Sequence, residues 1–250
     1  TTGTSIIVIW RLATRRITAT LLSSEIKIYI LAIVGAAFLL FLWADEDSVS
    51  SLGKAFLIAV SSISTTGFHI SPFENWTIAA GFLLLLLVTV GPMSLSNGGG
   101  FQIQRLQILL AVSVREMVRQ LHPRAVVKIK VGNQSVKEER VREVVVFQFI
   151  FTSIIFLTAT VLTISGVSVY EALSSSINAL ATAGPIRNAD GVIVEVSSFS
   201  LTERLALVPA MISGRLYLLP VLISVGYLFS ESKNFLRPVS YTHLRAHETV

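Results

Sequence analysis

The sequence predicts an all-α membrane protein with an internal repeat, and three observations carry that reading. Of its 250 residues 52% are hydrophobic and only 14% charged, with a mean hydropathy of +0.71, whereas a soluble chain carries about 25% charged residues. Four apolar stretches approach the roughly 20 residues that a helix needs to cross a bilayer. Two shorter apolar segments alternate with them, each closed by a turn of small residues, at a spacing of 117 residues. A surface so poor in charge needs an apolar solvent. That excludes a soluble enzyme, a nucleic-acid binder and a secreted disulfide scaffold. With no cysteine, neither a disulfide nor a thiolate metal site can form.

Residues 26–43 are the first span, followed by the acidic Asp45, Glu46 and Asp47. Leu52 to Ile63 is a half-length segment: as a helix it rises about 18 Å, little more than half of a roughly 30 Å hydrocarbon core. It closes with Ser64, Thr65, Thr66, Gly67 and Phe68. After Pro72 and Trp76, an interfacial type of residue, Ile78 to Leu95 reads as the second span. Asn97-Gly98-Gly99-Gly100 breaks the run, and Phe101 to Val114 resumes it. Val144 to Ile164 is the third span. Tyr170 to Leu180 is the second half-length segment, closed by Ala181, Thr182, Ala183, Gly184 and Pro185. Residues 205–229 form the last span, with Arg215 near its middle.

Charge orients these spans. Residues 105 to 142 hold nine of the twenty Lys and Arg, and the start of the chain adds Arg11, Arg15, Arg16 and Lys27. The positive-inside rule puts both regions in the cytoplasm and the acidic patch outside. Basic cytoplasmic loops then account for the pI near 9.7 without a nucleic-acid partner. The chain starts without Met and without a signal-peptide pattern, so truncation at the start is expected. After Pro238 the composition turns polar, and residues 239–250 are expected to be a non-native tail. His243 and His247 stand four apart there, but two ligands are too few for a metal site.

The repeat registers residue by residue: Ala55, Thr65 and Gly67 align with Ala172, Thr182 and Gly184. In lipid, a non-helical backbone is tolerated only where it is buried in protein or lines water. A half-helix that stops near midplane and returns as extended chain aims carbonyl oxygens at one axis, where they can replace the hydration shell of a cation. The helix C-terminus adds a negative partial charge. Gly67 and Gly184 are expected to supply the backbone angles closed to other residues. A re-entrant loop that only packs, or two ordinary hairpins with similar linkers, would be the bland alternatives. Arg215 at a helix centre costs about 2.5–3.5 kcal/mol on insertion scales and so marks a pathway, with the Gly98–Gly100 carbonyls as its expected partners. Three adjacent glycines break a helix rather than form a packing seam.

These residues resemble the Trk/Ktr family of bacterial potassium transporters. The resemblance rests on Ser64 to Phe68, Gly98 to Gly100 with Arg105, Arg115-Glu116 through Leu121-His122-Pro123 to Lys128-Ile129-Lys130, Gly184-Pro185, and Met211 to Leu216. It covers about residues 3 to 237. The family's pore is built from four membrane–pore–membrane repeats of the potassium-channel-like type, and the chain looks like two of the expected four. Residues 1–25 would then be the cytoplasmic end of a preceding repeat, 26–114 the third repeat, 115–143 a basic cytoplasmic connection and 144–238 the fourth repeat. The resemblance implies a filter lined by Ser64, Thr65, Thr66, Gly67 and Phe68 and by Ala181, Thr182, Ala183 and Gly184. It implies gating by the broken stretch Gly91 to Gly100, which carries Gly98, Gly99 and Gly100, with Arg215 in the same constriction.

By the same resemblance, K+ is the transported ion, no cofactor is bound, and the chain sits in the bacterial inner membrane among lipid. A homodimer and a cytosolic nucleotide-binding regulator of the TrkA/KtrA kind are the implied partners. Pro92, Met93 and Leu95 stand where the family is richer in small residues, Gln102 replaces an expected Lys, and Tyr217 replaces a Glu. With one glycine per filter segment, modest selectivity and sodium passage are expected. A secondary transporter coupled to Na+ or H+ is the competing class. Such proteins use inverted repeats and intramembrane carboxylates, whereas these copies run the same way. A truncated, non-conducting fragment is the third reading, since two quarters of a filter cannot encircle an ion. No catalytic constellation is visible, so no enzyme activity is expected.

Overall fold

A computed structural model describes residues 3–14, 23–43, 49–68, 77–122, 127–132, 134–184, 186, 188 and 193–215. Within these the α-helices are α1 Ile6–Ala13, α2 Ser24–Leu42, α3 Val49–Ile63, α4 Ile78–Val90, α5 Ile103–Leu121, α6 Glu138–Ile164, α7 Val169–Leu180 and α8 Leu201–Arg215. A two-stranded ribbon pairs β1 (Lys130–Val131) with β2 (Gln134–Ser135) between α5 and α6.

Local chemistry sets the helix starts. Thr77 caps α4 by accepting the Ala80 N–H, and Ser168 caps α7 by accepting the Glu171 N–H. At α8 the capping is reciprocal: Ser200 Oγ accepts the Glu203 N–H while Glu203 Oε2 accepts the Ser200 N–H at 2.8 Å. This capping box satisfies two otherwise orphaned donors. It starts α8 four residues before the apolar run from Leu205. Similarly, Glu138 and Glu139 in the first turn of α6 complement the positive end of the helix dipole, so α6 begins well ahead of Val144.

Only α2 and α6 are both long and apolar enough to cross a bilayer alone, among the described residues. Their outward residues are apolar too: Leu31 is 71% exposed and Phe149 73%. An outer face of such side chains needs an apolar neighbour, lipid or further protein, rather than water. Facing inward, Ile33, Ala37 and Leu40 of α2 pack with Ala55 and Ala59 of α3 and with Leu84 of α4. A second core joins Phe147 and Phe151 of α6 to Phe101, Ile108 and Leu180, and a third joins Leu162, Ala172, Leu207 and Ala210 of α6, α7 and α8. Small residues at these contacts let the helices approach closely, the usual basis of packing in lipid. At the foot of α5 and α6 the buried Arg115 bonds Glu116 at 3.0 Å and Glu138.

The second span differs from its expected form. The helix from Ile78 stops at Val90, not Leu95, because Gly91 is left-handed (φ +70) and Pro92 has no N–H to continue the ladder. The chain then makes an excursion and returns to the place it left. Phe101 N–H bonds the Thr89 carbonyl at 3.0 Å and Gln102 N–H bonds the Val90 carbonyl at 2.8 Å. Those partners lie twelve residues apart where a continuous helix has four. Helices α4 and α5 are thus joined as one helix would be, with eight extra residues spliced between them. Thirteen residues of α4 rise about 20 Å, so the splice falls inside a roughly 30 Å core. The resumed helix also runs past Val114 to Leu121. For the last span only Leu201–Arg215 is described. Tyr217, the rest of 205–229 and residues 239–250 lie outside the described residues.

Candidate functional site

The two half-length helices end identically. In α3, Ser64, Thr65 and Thr66 donate their N–H groups to the carbonyls of Val60, Ser62 and Ser61 at 3.0, 3.1 and 3.0 Å. In α7, Ala181, Thr182 and Ala183 donate to Ile177, Ala179 and Asn178 at 2.8, 3.2 and 2.9 Å. Nested bonds of this kind close a helix whose next residue is left-handed, normally Gly. Here that residue is Thr65 (φ 51) and Thr182 (φ 50). A β-branched side chain in this region is an outlier that costs of order 1–3 kcal/mol. The expectation that Gly184 supplies such an angle does not hold: its φ is not left-handed, and the left-handed residue of that turn is Thr182. Gly67 is left-handed as expected (φ +79).

Beyond the caps the two segments converge. Ser61 Oγ donates to the Phe68 carbonyl at 2.7 Å, folding the first segment back along its own helix. A methyl group on Gly67 would lie 3.2 Å from the Gly184 carbonyl oxygen. Among the described residues, the helix ladders and caps use carbonyls only as far as Ser62 and Ala179, so the later ones lie outside them. Both turns therefore present peptide groups at the negative ends of two helix dipoles, side by side.

The spliced loop sits against these same turns. Gly99 N–H donates to Thr65 Oγ1 at 3.1 Å. A methyl on Gly99 would collide with the Ala181 carbonyl and lie 2.9 Å from Thr182 Oγ1, and one on Gly98 would lie 2.7 Å from Thr65 Oγ1. Only glycine fits between the two threonine caps. The loop leans on both.

Residues 7–236 match the TrkH cation transport protein family model. The chain belongs to the TrkH family. Its Halomonas elongata relative, a Trk system potassium uptake protein, is 30% identical over 221 residues, 86% of this chain and 45% of its own length. The Escherichia coli Trk system potassium uptake protein is 29% identical over 180 residues, 71% of this chain and 36% of its own length. The solved potassium transporter from Vibrio parahaemolyticus matches with a TM-score of 0.80 at 23% identity, over 94% of this chain and 50% of that one. The TrkH fold is thus an all-α membrane fold, and the chain spans half or less of the length of these relatives.

Two residues of this TrkH-family chain carry more in the structure than in the sequence. Arg105 lines a recess beside Gly98 to Gly100, together with Gln102, Leu180 and Gly214. Its guanidinium carbon lies 3.8 Å from the Phe147 ring centroid, and Nη1 donates to the Phe101 carbonyl at 3.4 Å. Arg215 is not among the lining residues and its side chain is exposed, so the expected pairing with the glycine carbonyls is not what is observed. Gly214 takes the contact with the Leu180 backbone, and one residue along a helix turns the side chain by about 100°. The other position is Glu25, whose Oε1 accepts the Ser94 N–H of the loop at 2.6 Å. In sequence it reads as an ordinary acidic residue in a first helical turn. The signal available was its charge at the edge of an apolar span, which by itself names no partner 69 residues away.

Proposed function

We propose that this chain supplies two of the four quarters of a potassium-conducting pore, and that the complete protein takes up K+ through it. The observation that carries the reading is the convergence of Gly67 and Gly184 at two matched helix ends, with a glycine loop against both threonine caps. The relatives above, potassium uptake proteins and a potassium transporter, agree in substrate.

In this reading the peptide oxygens of Ser64 to Phe68 and of Ala181 to Gly184 replace part of the ion's hydration shell. No step of chemistry is needed. A membrane potential supplies about 2.3 kcal/mol per charge per 100 mV, enough to drive uptake into a negative interior. The loop Gly91 to Gly100 closes the path below the filter, and Arg105 and Arg215 add positive charge on its inner side. Residues 105–142 face the cytoplasm, the chain sits in the inner membrane, and the complete protein pairs with a second copy and with a nucleotide-binding regulator.

The test is rubidium flux through the complete protein in potassium-loaded vesicles. Gly67→Val adds a branched side chain where φ is +79 and the Gly184 oxygen is at contact distance. Flux is expected to fall to background with membrane insertion retained. Wild-type flux in an inserted Gly67→Val protein would sink the filter assignment.

A further inference from the structure

The spliced loop is fastened at two places, and only one of them is the filter. At its upper end Gly99 N–H is held by the Thr65 hydroxyl. At its lower tip, residues 93–96 bond to groups outside the pore helices. Ser94 N–H donates to Glu25 Oε1 at 2.6 Å. Met93 N–H donates to the Gly3 carbonyl and Ile6 N–H to the Leu95 carbonyl, both at 3.3 Å, and Ser96 Oγ closes the turn onto the Met93 carbonyl at 2.7 Å. Amides inside an apolar layer must find partners within the protein. Of these acceptors only Glu25 is a carboxylate. A charge-assisted bond is roughly twice as strong as a neutral one, and Glu25 stands in the first turn of α2.

We propose that Glu25 is the positioning residue of the gate: its carboxylate, anchored on α2, holds the loop tip through Ser94 and so keeps Gly98 to Gly100 across the ion path. The proposal rests on the loop being the gate of the pore described above. The Glu25 carboxylate bonds the loop tip and not a filter segment, so its effect falls on opening and not on ion preference. Neutralising it weakens one fastening, and the loop's equilibrium moves toward the displaced state.

The experiment uses the complete protein in vesicles, comparing wild type, Glu25→Gln, Glu25→Ala and Gly67→Val. Basal rubidium flux is expected to rise about five- to tenfold in both Glu25 variants, the shift that follows from weakening one such bond in a two-state equilibrium. The rubidium-to-sodium flux ratio stays at the wild-type value. These 250 residues contain no cysteine, so Ser94→Cys in an otherwise cysteine-free protein reports loop exposure directly. Adding Glu25→Gln should speed its labelling by a water-soluble maleimide by a similar factor. Unchanged flux and labelling, with Gly67→Val still blocked, would overturn the clamp and leave the pore reading standing. A changed flux ratio would make Glu25 part of the selectivity device and also overturn it. Failure of both Glu25 variants to insert would make the residue structural. Flux that survives Gly67→Val would remove the pore reading and this inference together.

Discussion

Helix α6 and the half-length helices α3 and α7 end with the same nested hydrogen bonds, yet they use different residues to do it. At the end of α6, Gly166 (φ +100) takes the left-handed position, with its N–H on Thr163 and the Val167 N–H on Leu162. No atom lies within 4 Å of a methyl group built there. At α3 and α7 the same position is held by Thr65 and Thr182, beside the glycine loop. Where an end only has to stop, the strain-free residue occupies it. Where an end has to hold something, a strained residue with a hydroxyl does. Backbone strain concentrated at functional positions is a general pattern, and here an unstrained end of identical bonding stands in the same chain for comparison.

Removing the threonine hydroxyl should produce the largest effect. In Thr65→Val the strained cap and its β-branch remain while Gly99 N–H loses its acceptor, which exposes a desolvation cost of about 1–3 kcal/mol. Rubidium flux in the complete protein is expected to rise several-fold, with the rubidium-to-sodium ratio held. Thr65→Gly relieves the strain as well, so its flux should rise similarly while its melting temperature does not fall. If flux stays at wild type in both variants, the hydroxyl is idle and the contrast between the helix ends teaches nothing about gating.

Much of this architecture was legible before any coordinates. A half-length apolar segment cannot span, and two of them at one spacing announce a repeated design. The glycine triplet at 98–100 announced a break in a span. What stayed hidden was conformational. Threonine has no sequence signature for a left-handed backbone, so the strain went to Gly184, which does not carry it. The resemblance put the loop's start at Gly91, but hydropathy alone ran the span on through Met93 to Leu95, because it does not register a missing N–H at Pro92. Arg105 was counted among basic residues, and its seat on the Phe147 ring depends on a third dimension that spacing along the chain does not give.

The reverse exchange sets a middle-sized expectation. Gly166→Thr places a β-branched side chain at φ +100 in open space, so it pays the strain with no hydroxyl partner in return. A loss of about 1–2 kcal/mol in stability is expected, read as a lower thermal midpoint in detergent, with rubidium flux unchanged. A change in flux would show that the end of α6 is coupled to the pore. The division between stopping ends and holding ends would then be wrong.

The smallest effect is expected at Gly184, and it bears most directly on the matched turns. Their hydrogen bonds coincide at a spacing of 117 residues, but their glycines do not behave alike. A methyl on the left-handed Gly67 would lie 3.2 Å from the Gly184 oxygen, whereas Gly184 is not left-handed and a methyl built on it would meet nothing within 4 Å. Gly184→Ala should therefore change stability by less than about 0.5 kcal/mol, the usual range for a substitution without a named mechanism. Its flux should stay within about twofold of wild type, because a shift of 1.4 kcal/mol would be needed for tenfold. Gly67→Ala, by the same reasoning, pays for a positive φ and a close backbone contact together. Equal losses in the two alanine variants would mean that the glycines are equivalent in the conducting protein. The asymmetry would then belong to the 250-residue chain by itself, and its partners in the conducting protein would be what restores Gly184 to its counterpart's geometry.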